Sequence, residues 1–330
     1  MVPNNAVFSQ KVAGFLKRSV KTSAFKIVLL TIIMVIIIQI TTNNFFSSYS
    51  ITAFVRQSTF IIIIGLAQTF VLLTSGIDLS VASIAGLSSM VFALIVKQGG
   101  GNPLLATVIG LIVGTLLGLF NGLFICGLNI PPFIVTLSTS YLFRGVIYVA
   151  TKGMAITGIP KSLMSIGSGN LFGFLPYPTL VMICLAIILA LILKFTTFGV
   201  RLYALGGNEN AAKIVGIHTK GLKMAVYAIS GFLCSIVGIL MILRFGSSQL
   251  NIGGNLVMPS ITAAVIGGTS MSGGSGGVGG TVAGGFFMGT IVFSISMFSI
   301  SAYWDDIMTG AVVLLVLSID AIYRIKKASY

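Results

Sequence analysis

A chain of 330 residues that is 56% hydrophobic and only 7% charged, with mean hydropathy +1.10, is not an ordinary soluble domain, which carries about 25% charged residues. The formal net charge of +14, from 19 basic and five acidic side chains, would suit a nucleic-acid binder. The cations, however, fall in clusters outside the apolar runs, as loop lysines and arginines of membrane proteins do, so no nucleic-acid partner is expected.

The apolar runs are continuous and close to the ~20 residues that a helix needs to cross a bilayer. A transmembrane barrel would show shorter, alternating segments. The expectation is an all-α, polytopic membrane protein in the lipid bilayer, one transmembrane domain over residues 1–330 with about ten helices.

In chain order, a basic segment (residues 1–25) precedes FKIVLLTIIMVIIIQI. No small-residue cleavage pattern follows it, so it reads as an uncleaved first span, 25–42. The next runs are 52–74, 79–96, 103–128, 133–151, 177–195, 222–243, a short one at 258–268, 279–300 and 307–323. With the amino terminus inside, 13 lysines and arginines lie in inside segments and five in outside ones, with Arg144 within a span. This bias puts both termini in the cytoplasm, with the chain multi-pass in the membrane.

The stretches 52–151 and 222–323 each hold four spans and begin from opposite sides. Each is interrupted, by TSGIDLSVAS from Thr74 and by GGTSMSGGSGG from Gly267. Two halves of opposite sense with broken helices are the pattern of an inverted repeat, and the two interruptions read as its matching features. Non-helical backbone at membrane depth is tolerated where it is buried in protein or lines a wet cavity. A phosphate-binding loop is excluded, because it requires a Gly-Lys pair and the chain has none. Gly110, Gly114, Gly118 and Gly122 recur every four residues, as do Gly276, Gly280 and Gly284, and Gly285 with Gly289. That spacing predicts close helix contacts, within one subunit or across a dimer.

Polar residues inside the spans are the candidates for a substrate pathway. Asp78, in SGIDLS, is the only acidic residue in the first 208 positions, and reads as the N-cap of the following half-helix or as part of transport. Asn121, Thr136, Ser140 and Arg144 lie within the spans, and Thr269 and Ser270 open the glycine stretch. A span arginine is costly and faces a cavity, a partner or the interface. This largely neutral set suits an uncharged polyol or sugar better than an ion. Cys126, Cys184 and Cys234 sit in apolar runs and His218 is the only histidine, so no metal, disulfide, cofactor or catalytic residue is expected. Tyr303 and Trp304 fit an interfacial aromatic belt, with Asp305 and Asp306 as loop carboxylates beside them.

The longest inside loop, residues 196–222, contains GGNENAAKIVG. Gly206 and Gly207 break the chain, Asn208 can cap a short helix with Glu209 in its first turn, Ala211 and Ala212 favour helix, and Gly216 can end it. A short capped helix on the membrane surface is a docking peg for a cytoplasmic partner.

Over residues 45–327 the chain resembles the permease subunit of ribose-type ABC importers for monosaccharides, a group related to branched-chain amino-acid permeases. The likeness rests on TSGIDLSVAS, FIVTLSTSYLFRGVIYV, YALGGNENAAKIVGI and AAVIGGTSMSGGSGGVGGTVAGG. The resemblance implies a transport subunit rather than an enzyme, in the inner (plasma) membrane of a bacterial cell. It also implies a second, identical or homologous permease, a cytoplasmic ATP-binding subunit and an external sugar-binding protein. GGNENAA then matches the coupling helix that docks on the ATPase. Val257 and Pro259 stand where relatives often carry acidic residues, and Ser75 and Ala82 where glycines are common. The alternatives are cargo of another kind, a furanose-like signalling molecule or a branched-chain amino acid, and a self-sufficient secondary transporter, for which Asp78 is the one carboxylate near a span break.

Overall fold

The computed structural model describes residues 23–301, 303–304, 306–315 and 318. The basic amino-terminal segment before Ser23, Asp305 and the charged carboxy-terminal residues lie outside these.

Among the described residues, seven helices are long and apolar enough to cross a membrane, and three shorter apolar helices accompany them. Each of the ten runs of the sequence thus has a helix in it, and the helices Val81–Val96 and Val257–Ile266 are too short to cross a bilayer unaided. The long helices are α1 (Ser23–Thr42), α2 (Ser48–Leu73), α4 (Pro103–Gly127), α5 (Pro132–Thr151), α7 (Tyr177–Phe195), α10 (Thr219–Phe245) and α12 (Val278–Met297). The short ones are α3 (Val81–Val96), α11 (Val257–Ile266) and a last helix of which Asp306–Leu315 is described.

Local chemistry sets the ends of these helices. Ser47 caps α2 by accepting the Ser50 amide, and Asn102 caps α4 ahead of Pro103 at its first position. Pro132 opens α5, where a missing amide costs nothing. Two features of the soluble loops are not evident from hydropathy. They are an eight-residue helix α6 (Lys161–Ser168) and a hairpin of β1 (Asn170–Leu171) and β2 (Leu175–Pro176). Arg56 of α2 holds that hairpin by donating to the Ser168 carbonyl and Asn170 Oδ1, at 2.8 and 2.7 Å.

The packing is that of an exchanged pair. Helix α4 lies along α10 as α12 lies along α2; α3 touches α10 as α11 touches α2; α3 packs on α4 as α11 packs on α12. Helices α2 and α10 meet at the centre and carry the most deeply buried residues, including Phe60 to Ile64 and Tyr227. Helices α2 and α10 thus hold equivalent places in two matching sets of three helices, the arrangement expected of an internal repeat. Helix α1 is peripheral, resting on α12 with most of its surface exposed.

The repeat assigns the interruptions differently from the sequence reading. Under the exchange, the break after α2 (74–80) corresponds to the break after α10 (246–256). The glycine stretch, between α11 and α12, corresponds instead to the link between α3 and α4. The two conspicuous breaks are not symmetry mates but neighbours. Gly274 N–H donates to Leu73 O at 3.1 Å and Ser75 Oγ to Ser272 O at 2.7 Å.

The glycine stripes close helix seams inside this one chain. A Cβ on Gly118 would lie 2.1 Å from Tyr227 O, and one on Gly231 the same distance from Gly114 O, so α4 and α10 touch backbone to backbone. Gly284 faces Ala263 O, and Gly285 and Gly289 face Ile62 and Ser58, making the equivalent seams of α12 with α11 and α2. In lipid, where the hydrophobic effect gives helices no reason to associate, such close van der Waals contact supplies the attraction.

Candidate functional site

The sequence-derived site residues fall into four places. Asp78, Asn121 and Thr136 are fully buried. Asp78 is not the N-cap of α3: Ser80 occupies that position, and the helix starts at Val81. The Asp78 carboxylate instead accepts the Ser80 amide at 2.9 Å, the Ser80 hydroxyl, and the Ser230 hydroxyl of α10 at 2.8 Å. Gln68 of α2 donates to the Asp78 carbonyl at 2.6 Å, and Asn121 of α4 donates to Ser80 Oγ at 2.8 Å. Thr136 of α5 donates to Ile77 O at 3.1 Å and to Pro132 O at 2.9 Å. Four helices thus anchor the break after α2 through one polar network. A buried carboxylate bonded in this way by neutral donors fastens the break to α10. Asp78, Asn121 and Thr136 thus come together around the break after α2 and do not line the cavity bordered by Arg144. Ser230 and Gln68 were missed because isolated polar residues in apolar helices carry no local signal of what they face.

Ser140 and Arg144 lie elsewhere. With Ser83 of α3 and Asn251 and Gly254 of the 246–256 break, they line a cavity of about 190 Å³. Leu79, Ala82, Ile147, Ile252 and Val257 form its apolar walls. Arg144 is held over the Tyr141 ring, 5.2 Å from its centroid. Helix α11 has only ten residues, about 15 Å, roughly half the thickness of a bilayer core. Hydroxyl, amide and guanidinium groups against apolar walls are the lining of a pocket for a small polar molecule. The motif SSQLNIGGN, polar and glycine-bearing between apolar runs, is the signal that marked this second break.

Thr269 and Ser270 belong to a third place, the glycine stretch. Thr269 N–H donates to Ala264 O at 3.0 Å and Ser270 N–H to Ser275 O at 2.9 Å, so the loop is folded on itself. Gly276 closes over Thr269: a Cβ there would lie 2.6 Å from the threonine hydroxyl. These two residues do not line the Arg144 cavity.

The fourth place is the basic loop, which forms α8 (Thr197–Gly207) and α9 (Glu209–Ile214). Asn208 caps α9 by accepting the Ala211 amide at 3.0 Å, as expected, and Gly216 follows it with φ +83°. Glu209 pairs with Lys213 at 3.1 Å and with Lys223 of α10 at 2.7 Å. The Lys223 hydrogen bond, aided by that of Lys213 and opposed by partial burial, holds the Glu209 carboxyl below its ordinary range. Gly207, Asn208, Asn210 and Ala211 are exposed, whereas Gly206 packs against Gly274 and Ala212 is only 2% exposed. The outward tip is Ile214 and Val215, 86% and 74% exposed. Two exposed aliphatic side chains thus sit at the end of a capped, ion-paired helix. Ala212 is turned inward.

Residues 50–317 match the family described as "Branched-chain amino acid transport system / permease component". The chain is 37% identical over 290 residues to the Ribose import permease protein RbsC of Bacillus subtilis (strain 168), covering 87% of this chain and 89% of that one. It is 36% identical to the protein of the same name from Haemophilus influenzae (strain ATCC 51907 / DSM 11121 / KW20 / Rd), covering 90% and 92%. It is 32% identical to the Autoinducer 2 import system permease protein LsrC of Escherichia coli O9:H4 (strain HS), covering 86% and 82%. No solved structure matches.

Proposed function

The chain belongs to the branched-chain amino acid transport system / permease component family, and from that premise we propose that it carries a monosaccharide, ribose or a related sugar, as the permease subunit of an ABC importer. It is a multi-pass protein of the inner membrane and a transport component. The observation that carries the cargo is likeness at 36–37% identity to two ribose import permeases over nearly the whole of each chain. The autoinducer-2 permeases are less similar, at 32%.

In this reading both termini and the α8–α9 loop face the cytoplasm, where the exposed Ile214–Val215 tip docks on a separate ATP-hydrolysing subunit. Asn208, Glu209 and Ala211 shape that contact, while Gly206, Gly207 and Ala212 seat it. A second permease completes the pathway, and an external sugar-binding protein delivers cargo. The Arg144 cavity is the part of the pathway this chain contributes, with Ser140, Ser83 and Asn251 offering hydroxyl and amide groups to sugar hydroxyls. Its few polar groups set against apolar walls support a small polar molecule of that class.

The test is reconstitution of the chain with its ATPase and binding protein in proteoliposomes. ATP-driven uptake of ribose is expected, with Ile214→Asp/Val215→Asp abolishing it while the protein still inserts. Uptake by this chain without the ATPase, driven by an ion gradient, would overturn the reading.

A further inference from the structure

The docking helix and the cavity lie on different elements, and a continuous seam joins them. Helix α8 runs into α9, and Tyr203 of α8 donates its hydroxyl to Gly276 O of the glycine stretch at 2.9 Å. One turn on, Gly206 meets the same stretch backbone to backbone: a Cβ there would lie 1.9 Å from Leu73 O and 2.3 Å from Gly274 N. The stretch is itself a folded unit, closed by the Thr269–Ala264 and Ser270–Ser275 bonds and fastened to the end of α2 through Gly274 and Leu73. It continues backward into α11, whose first residue, Val257, lines the cavity beside Asn251 and Gly254.

Direct contact and hydrogen bonding transmit different motions. The Gly206 contact can push the glycine stretch, because backbone cannot pass through backbone. It cannot pull, because van der Waals attraction between so few atoms is weak. The Tyr203–Gly276 bond resists separation. We propose that Tyr203 is a positioning residue that makes α8–α9 and α11 move together in both directions, so that displacement of the docking helix shifts the α11 wall of the cavity. This rests on the importer reading above and adds to it the route and the residue by which the partner's work reaches the cargo.

The experiment uses the full complex in proteoliposomes, comparing wild type with Tyr203→Phe, which deletes one hydroxyl and leaves the ring. ATP hydrolysis and uptake are measured together. In parallel, the rate at which a maleimide labels a single cysteine at Asn251→Cys is followed with and without trapped nucleotide, in a background lacking Cys126, Cys184 and Cys234. Tyr203→Phe is expected to keep ATP hydrolysis and to lower uptake per ATP about five-fold, the factor set by one hydrogen bond of ordinary net strength. It should also lose the nucleotide-dependent difference in labelling. An unchanged uptake-to-hydrolysis ratio overturns the proposal, including the case where both rates fall in parallel, which is the mark of a purely structural bond. A wild-type complex without ATP-driven uptake would sink the importer reading and this inference with it. A coupled wild type with an equally coupled Tyr203→Phe removes the link alone.

Discussion

Gly118→Ala is the sharpest probe of how this bundle holds together. The added Cβ would lie 2.1 Å from Tyr227 O and 3.0 Å from its carbonyl carbon, whereas a carbon–oxygen contact ordinarily sits at about 3.3–3.6 Å. The obstacle is backbone on both sides, so no rotamer change relieves it, and α4 and α10 must separate by more than about 1 Å. Overpacking of this kind costs ~1–3 kcal/mol, and the upper end applies because the seam also includes Gly114 and Gly231. Two controls calibrate the effect. At Gly122 the nearest atom to a new Cβ is Met224 Cα at 3.1 Å, a mild strain, and at Gly145 in α5 nothing lies within 4 Å. Gly145→Ala should then show only the helix-propensity gain of up to about 1 kcal/mol. The assay is thermal unfolding of the detergent-solubilised protein, read as the monodisperse fraction surviving each temperature on gel filtration. The expected order of stability is Gly145→Ala above wild type, Gly122→Ala slightly below it and Gly118→Ala lowest by several degrees. Should Gly118→Ala match Gly145→Ala, the backbone seam is not what holds α4 to α10. Loss of an oligomer at unchanged melting temperature would instead assign the stripe to contacts between copies.

Two further outcomes follow from the polar contacts. Asp78→Asn replaces one acceptor oxygen by a donor nitrogen facing hydroxyls already committed to donating, and should lower stability by ~1–3 kcal/mol in the same melting assay. If the variant melts normally but alters ion dependence of uptake, Asp78 is an ion site and not a fastener. For Glu209 the carboxyl is depressed in the folded chain, chiefly by Lys223. Its contribution is therefore fully present above the ordinary value of 4.5 and is lost as pH falls through the lower folded value. With the side chain 38% exposed, that contribution stays under about 1 kcal/mol. The difference in melting temperature between wild type and Glu209→Gln should be flat from pH 8 to about 5 and shrink below that; growth of the difference on acidification would refute the pairing.

Much of this architecture is legible in the chain itself. Hydropathy placed all ten apolar elements, because lipid demands continuous apolar surface over a set length. Four-residue glycine spacing announced the close seams, because helix geometry puts those residues on one face. Asn208, Glu209 and Gly216 foretold α9, because capping is decided by side chains within a few residues of one another. Sequence alone did not decide what each polar residue meets. Asp78 and Arg144 look equally functional in a one-dimensional reading, yet one is enclosed by four helices and the other borders a cavity. Ala212 and Ile214 lie two positions apart on one short helix, and only its rotation against α10 turns the first inward and the second out. Likewise the two glycine-rich interruptions appeared as equivalent features of a repeat, while packing makes them touching neighbours and gives each a different symmetry mate. Span, cap and close-contact signals depend on neighbours along the chain. Burial, partnership and the location of the cavity depend on how helices far apart in sequence rotate and dock, and only the tertiary structure sets that.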